Sequence, residues 1–357
     1  MFALERPKKR GIFEIIYGDV LVFYKCFSVF SAIYEKHCPK LICLFYFLPR
    51  EAIRGAFGFV VSKNSKVPIY RGFFLNLNRM KIGIQGTVGS NHHKVARELY
   101  GEGVVCVECS SFSALAEGLV QGTFDEAVMA IENSIAGAIL PNYNLIYSNG
   151  FQILSECYLS ISHNLMALKG QGIENIKRVE SHPMALLQCA TYFEDKSITL
   201  VEADDTASVA RRIADEHLEG VAAIAPVEAA SLFGLDILAH DIQTLTSNAT
   251  RFVRLRRSSD AQEASGERLN KASLRFVTGH KRGSLATILN VMSDCNLNLT
   301  KIQSLPIIET PWKYAFFVDV TFDELSAFEK AAAALNIMAD SSTVLGLYTN
   351  QLKTTAL

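Results

Sequence analysis

The sequence carries almost no net charge: 35 Lys+Arg against 36 Asp+Glu over 357 residues leave a formal charge of −1 at pH 7. A near-neutral chain has no overall field to draw a polyanion such as nucleic acid, so any bound anion must be met by local groups. Nor is there an apolar run of the roughly 20 residues that a membrane span needs. The longest uncharged apolar stretch, Leu41 to Pro49, is far shorter. The eight cysteines (Cys26, Cys38, Cys43, Cys106, Cys109, Cys157, Cys189 and Cys295) lack the spacing of a disulfide framework. That usage suits a reducing, cytoplasmic setting in which they act as small buried side chains. Metal-ligand spacing is missing too. Cys106 and Cys109 form a lone CxxC inside an alternating strand with no second pair, and the adjacent His92 and His93 point in different directions on a helix. A dinucleotide fingerprint is also absent, because Gly83, Gly86 and Gly89 are spaced GxxGxxG rather than GxGxxG.

The first eighty residues are rich in Phe, Tyr and Ile without a stable period and read as an atypical extension. Lys8, Lys9 and Arg10 precede an apolar stretch, but Glu14, Asp19 and Lys25 interrupt it, which argues against a signal peptide. Met80 stands directly before the first well-patterned strand, so this segment is expected to be a leader or the product of a displaced start.

From Lys81 the pattern is alternating strand and helix. Strands are predicted over 81–85, 104–108 and 126–131, with helices over 91–100 and 111–121. Long strands follow over 151–168, then a strand over 177–181 and helices over 183–193 and 206–216. An apolar strand at 221–225 precedes a helix at 227–233. This implies two α/β lobes, the first from about 81–155 and 221–257 and the second about 156–220, with a ligand cleft between them. Residues 258–271 are polar and mixed in charge, as in a linker. Beyond it the predicted order is βαββαβ over 272–350, a ferredoxin-like arrangement.

Candidate chemistry lies where strands turn into helices. The GIQGTVGS turn aims backbone amides and the Thr87 and Ser90 hydroxyls at the N-terminus of a helix, where an anion is favoured; Ser90 equally serves as an N-cap. Asn133 and Ser134 end a buried strand at the carboxyl edge of a sheet, the edge at which open α/β sheets bind ligands. Ser181 and His182 end a strand of the second lobe, with Gln188 on the helix that Pro183 starts. Asp205 and Thr206 open another helix, Asp205 in the position of an N-cap. Thr250, Arg251 and Phe252 follow a turn near the point where the chain crosses back between lobes. Together these hydroxyls, amides and one guanidinium would converge on a small dianion. Arg251 suits a carboxylate through its bidentate fork, or pairs with a surface acid.

The segments GIQGTVGSNHH, FDEAVMAIENSIAG, SHPMALLQC, DDTASVA, AIAPVEAASLFGL and NATRF, in this order, strongly resemble prephenate dehydratases over Lys81 to Arg256. The resemblance implies a two-lobed domain like type-II periplasmic binding proteins. It implies conversion of prephenate to phenylpyruvate, water and CO2 without a cofactor or metal. It assigns catalysis to Thr250 and substrate contact to Thr87, Ser90, Asn133, Ser134, Ser181, Gln188, Thr206, Arg251 and Phe252. Met184 and Thr244 depart from the family pattern, which has Gln and Asp there. Arogenate, with an amine in place of the keto group, is the alternative substrate; a non-catalytic amino-acid-binding regulator is a further alternative.

Residues 272–350 resemble an ACT domain, a module that binds amino acids between paired copies. Gly283, Ser284, Leu285 and Ala286 occupy its Gly-Ala-Leu-Val position. Asn298, Leu299, Thr300, Gln303 and Ser304 lie in its Glu-Ser-Arg-Pro region, with Gln303 and Leu305 replacing Glu and Arg. The resemblance implies phenylalanine as an allosteric effector and a homo-oligomer, dimer or tetramer.

Overall fold

The computed structural model describes residues 80–260, 268–279, 281–307 and 310–352, together with the backbone of three earlier strands. Those strands, β1 (Ile12–Tyr17), β2 (Val20–Lys25) and β3 (Phe57–Ser62), pair antiparallel in that order within a separate unit, Met1–Arg79. Their sequences are dense in Ile, Val, Phe and Tyr, side chains that fit a pleated surface. The atypical extension therefore contains a small sheet. The reading of this segment as a leader or displaced start otherwise falls on residues outside the described ones.

The first lobe opens as β4 (Lys81–Gln85), α1 (Asn91–Tyr100), β5 (Val105–Cys109), α2 (Phe112–Gln121) and β6 (Glu126–Asn133). β4 pairs in parallel with both β5 and β6. The run from Glu126 to Ile131 is buried throughout, as expected of a parallel strand covered on both faces. Ser90 and Ser111 cap the two helices by accepting from the backbone amides of His93 and Ala114. β7 (Gly137–Ala138), α3 (Leu140–Ser148) and β8 (Phe151–Ser160) complete this stretch.

The chain then enters the second lobe through β9 (Asn164–Ala167), β10 (Arg178–Ser181), α4 (Pro183–Gln188), α5 (Ala190–Phe193), β11 (Thr199–Glu202), α6 (Thr206–Asp215), β12 (Val221–Ala225), α7 (Val227–Phe233) and β13 (Asp236–Ala239). Its five strands lie in the order β11-β10-β12-β9-β13. It returns as β14 (Ala249–Arg257), which inserts antiparallel between β6 and β8. The second lobe thus spans 164–239 rather than 156–220. All of β8 stays in the first lobe because it pairs with β14, and β12 is a central strand of the second because both its edges are occupied, by β9 and β10. An all-apolar strand fits the middle of either sheet, so its composition did not reveal which.

β15 (Lys271–Val277), α8 (Ser284–Asp294), β16 (Asn298–Pro306), β17 (Tyr314–Thr321), α9 (Leu325–Met338) and β18 (Ser341–Tyr348) form the expected βαββαβ unit, with strand order β16-β17-β15-β18. This unit does not stand apart from the first lobe. β18 meets β8 at Gly346 and Ile153, so one sheet runs from β16 to β5. A Cβ on Gly346 would lie 2.3 Å from the Ile153 carbonyl oxygen, so the approach of the two strands requires glycine. Apolar packing is shared as well: Tyr143 of α3 stacks edge-on against Phe317 of β17 with centroids 5.5 Å apart, and Ile153, Phe317, Leu345 and Tyr348 belong to a single buried cluster. Of the expected linker, residues 258–260 form a 3-10 turn, Lys271 already belongs to β15, and residues 261–267 lie outside the described ones.

Candidate functional site

Thr250 and Asn133 are directly opposed in the register of β14 and β6. The Asn133 side-chain amide donates to Thr250 Oγ1 at 3.0 Å and to Asn248 Oδ1 at 2.7 Å. Its own carbonyl oxygen accepts from the backbone amides of Ile135 and Ala136, which fixes the orientation of the Asn133 amide. Asn248 in turn donates to Gln188 Oε1 at 2.9 Å, and His163 Nε2 contacts the same oxygen at 2.8 Å. A carbonyl oxygen calls for a donor, so the His163 proton sits on Nε2. Burial holds His163 below its ordinary pKa although the bond to Gln188 opposes this. The result is a polar chain, His163 to Gln188 to Asn248 to Asn133 to Thr250, that runs from the second lobe into the first.

The chemical consequence lies at its end. Thr250 Oγ1 accepts a hydrogen bond from Asn133, so the hydroxyl's own proton remains for an outside acceptor. That donor is set next to buried apolar surface, with Thr250 only 9% exposed, where an electrostatic interaction is stronger than in water.

The Gly-rich turn behaves differently from expectation. Gly86 N–H donates to the Cys109 carbonyl, Gly89 N–H to His93 Nδ1 and Ser90 N–H to the Thr87 carbonyl. Val88 N–H does meet an anion, but it is the carboxylate of Glu108, at 2.7 Å. Glu108 also receives both arms of Arg211 from α6, at 3.1 and 2.6 Å. The Arg211 hydrogen bonds, with the Val88 amide, hold the Glu108 carboxyl below its ordinary pKa. Thr87 Oγ1 likewise reaches across the lobes to Asp205 Oδ2 at 2.9 Å, and Asp205 caps α6 by accepting from Ser208 N–H. The turn is thus part of a latch between the lobes. Ser90 is 3% exposed and serves as the N-cap of α1.

Other expected positions divide clearly. Ser134 is exposed and bridges to Ser247 and the Ala249 amide. Ser181 is fully buried and donates to the Ile224 carbonyl at 2.7 Å, so it supports the floor of the second lobe rather than lining the cleft. Thr206 is half-buried as the first residue of α6. Phe252 is a core residue, edge-on to His92 at 5.0 Å. His92 is buried, accepts weakly from Ala130 N–H at 3.3 Å, and burial lowers its pKa to about 3.

Arg251 is the main correction. Successive strand residues face opposite ways, and Arg251 points away from Thr250 into a nearly dry cluster. It is 3% exposed. Its Nε meets Glu156 at 2.8 Å, its Nη1 meets Asp319, and its Nη2 donates to the Tyr348 hydroxyl at 2.9 Å. Burial opposes its charge, yet Asp319, Tyr348 and Glu156 hold the guanidinium well above its ordinary pKa. Lys271 Nζ donates to both Glu156 oxygens, at 2.9 and 2.8 Å. A guanidinium already bound to two carboxylates is not a substrate clamp.

In the C-terminal unit Gly283, with φ of 82°, leads into α8, whose first residues are Ser284, Leu285 and Ala286. Leu285 and Leu299 pack against its core. Thr300 donates to the Asp319 carbonyl and Gln303 to the Ser304 carbonyl, and Asn298 begins β16. A cavity elsewhere in this unit, lined by residues including Leu274, Met292, Phe328 and Val344, contains none of these expected effector residues.

Sequence reasoning did not assign His163, Asn248, Glu108 or Glu132 to the site. Asn248 stands inside the NATRF segment, and Glu132 directly precedes Asn133. His163 was absorbed into a predicted long strand that in fact breaks at 161–163.

Residues 82–260 match the family model "PDT: Prephenate dehydratase". The chain is 35% identical over 285 residues to arogenate dehydratase/prephenate dehydratase 2, chloroplastic, of Arabidopsis thaliana, covering 76% of this chain and 74% of that one. It is 29% identical over 282 residues to the bifunctional chorismate mutase/prephenate dehydratase of Escherichia coli K12, covering 78% and 72%. Its fold matches the crystal structure of prephenate dehydratase from Arthrobacter aurescens in complex with L-Phe, with a TM-score of 0.68, 25% identity and coverage of 78% of this chain and 92% of that one.

Proposed function

The chain belongs to the prephenate dehydratase family, the dehydratases of phenylalanine biosynthesis, and from that premise we propose that it converts prephenate to phenylpyruvate, water and CO2. The observation that carries this reading is the Asn133 to Thr250 hydrogen bond at 3.0 Å. Prephenate loses its ring carboxylate as CO2, the electron pair of that bond enters the ring, and the C4 hydroxyl departs with one proton as water. Aromatisation supplies the driving force. Thr250, polarised by the Asn133 amide, donates to the departing oxygen as negative charge develops there. A free alcohol is a weak acid near neutrality, so the step is hydrogen-bond stabilisation rather than complete proton transfer before bond cleavage. Arg251 faces elsewhere and does not hold the side-chain pyruvate or the ring carboxylate. Neither redox chemistry nor a Lewis acid is called for by this bond-making and bond-breaking.

Arogenate is the second reading, favoured by the names of the Arabidopsis and petunia relatives, which include arogenate dehydratases. Purified protein supplied with each substrate in turn decides between them: phenylpyruvate forms from prephenate, phenylalanine from arogenate.

Regulation by phenylalanine is supported by two observations. The Arthrobacter structure holds L-Phe, and residues 271–348 adopt the βαββαβ order of the ACT domains they resemble. Gly283, Ser284, Asn298 and Ser304 are the expected contacts, at an interface between paired copies. Calorimetry with phenylalanine tests it. A cytoplasmic site of action is part of the same proposal. Among the described residues no helix is long and apolar enough to cross a membrane, and the Arabidopsis relative is described as chloroplastic.

A further inference from the structure

The reverse face of the reactive strand pair is charged. On β14 and β6 the pair Thr250 and Asn133 is followed by the pair Arg251 and Glu132, in register. Thr250 and Asn133 meet each other through a hydrogen bond, whereas Arg251 and Glu132 are both held by the C-terminal unit. Lys301 of β16 lies 2.7 Å from Glu132 Oε1, and Asp319 of β17 pairs with Arg251 Nη1. Arg251 Nη1 is also 3.7 Å from Glu132 Oε2. With Lys271 and Glu156 the cluster holds three cations and three carboxylates. Tyr348 and Ser273 satisfy further valences, Tyr348 accepting from Arg251 and Ser273 donating to Asp319.

Two details make this more than domain docking. The register of β14 on β6 shifts between Arg251 and Phe252, an irregularity that weakens the ladder's own control over the residues beyond it and re-aims their side chains. Thr250 and Asn133 lie on the far side of that shift. In addition, Lys301 sits within residues 298–304, the segment in which an effector is expected, so displacement of β16 would reach Asn133 through one ion pair and one peptide unit.

We propose that the C-terminal unit positions the cleft's reactive pair through Lys301 on Glu132 and Asp319 on Arg251, which makes Glu132 and Arg251 positioning residues for the dehydration. The proposal rests on the dehydratase reading. Its physical content is that the 3.0 Å bond between Asn133 and Thr250 keeps its length and direction because both strands are fixed from behind. Neither Glu132 nor Arg251 touches the reacting atoms.

The test uses the full chain. Lys301→Met keeps the length of the side chain and removes its charge; Glu132→Gln removes the partner charge from a residue 35% exposed, where an amide is tolerated. Each is expected to lower kcat with prephenate or arogenate by about tenfold with KM within about twofold, and the double variant to be no worse than either single one. Lys301→Arg is expected to recover most of kcat. Unchanged kcat in folded Lys301→Met and Glu132→Gln, or a change confined to KM, overturns the proposal. Amide hydrogen exchange over residues 249–252 separates this from failure of the dehydratase reading, since it needs no substrate. If the wild type turns over neither substrate, that reading fails; faster exchange at 249–252 in both variants, with β4 unaffected, still supports the mechanical link, and unchanged exchange removes it.

Discussion

Asn133 Nδ2 lies 3.0 Å from Thr250 Oγ1 and donates to it, so the threonine enters the reaction as an acceptor on one side and a donor on the other. Thr250→Ala deletes that donor while leaving the strand intact. The expected loss is about 10²–10³ in kcat, with a much smaller change in KM, because the hydroxyl acts mainly on charge that appears in the transition state. Thr250→Ser should retain most of the rate. Steady-state kinetics on the folded variants checks both.

Arg251→Met should behave as a loss of stability, since it strands Glu156 and Asp319 in a nearly dry site. Removing one partner of a buried ion pair costs about 3–5 kcal/mol. Thermal melting should register a fall of many degrees, and any Arg251→Lys variant that folds should keep its KM. A KM raised tenfold or more with unchanged melting would return Arg251 to the substrate.

The latch between lobes is expected to be weak in stability and visible in binding. Glu108 and Arg211 are each about one-third exposed, at 35% and 33%, so Arg211→Ala should change global stability by less than about 1 kcal/mol. It should raise KM by roughly twofold to fivefold as lobe closure loses a bidentate pair, and added salt should mimic this in the wild type and have less effect in the variant. Kinetics at two ionic strengths measures the difference.

Acid stability should carry the signature of His92. Its folded pKa is depressed from 6.5 to about 3 by burial, so the unfolded chain takes up the proton first. The stability this neutral histidine contributes is complete above pH 6.5 and is lost as pH falls toward 3, at up to about 1.4 kcal/mol per pH unit. His92→Gln keeps an acceptor for the Ala130 amide without the titration. Its melting temperature should fall less steeply than the wild type's between pH 6.5 and 4, as denaturation scans across that range would show.

Much of this was legible before the structure. The capping serine Ser90, the buried run of β6 and the βαββαβ order all follow from local pattern, and local pattern is what sequence reveals. Asn133, Gln188 and Thr250 were legible as candidates because they sit in motifs, and the fold brings all three into one hydrogen-bonded chain. Arg251 was misread for a physical reason. Its partners Glu156 and Asp319 lie 95 and 68 residues away, and the face of β14 that carries charge is decided by what packs behind it. The Gly-rich turn misled in the same way: its amides suited an anion, and the anion proved to be Glu108 from the neighbouring strand. The lobe boundary failed because β12 is apolar on both faces and would fit the middle of either sheet.

The most direct measurement is turnover by the purified full chain, followed as product formation from prephenate and from arogenate, with Thr250→Ala assayed alongside at matched folding. Phenylpyruvate from prephenate, lost by about two orders of magnitude or more in Thr250→Ala, is the expected result. Formation of phenylalanine from arogenate alone would move the substrate assignment while keeping the mechanism. Absence of product from both substrates, or a Thr250→Ala variant as fast as the wild type, would contradict the catalytic role assigned to the Asn133 and Thr250 pair.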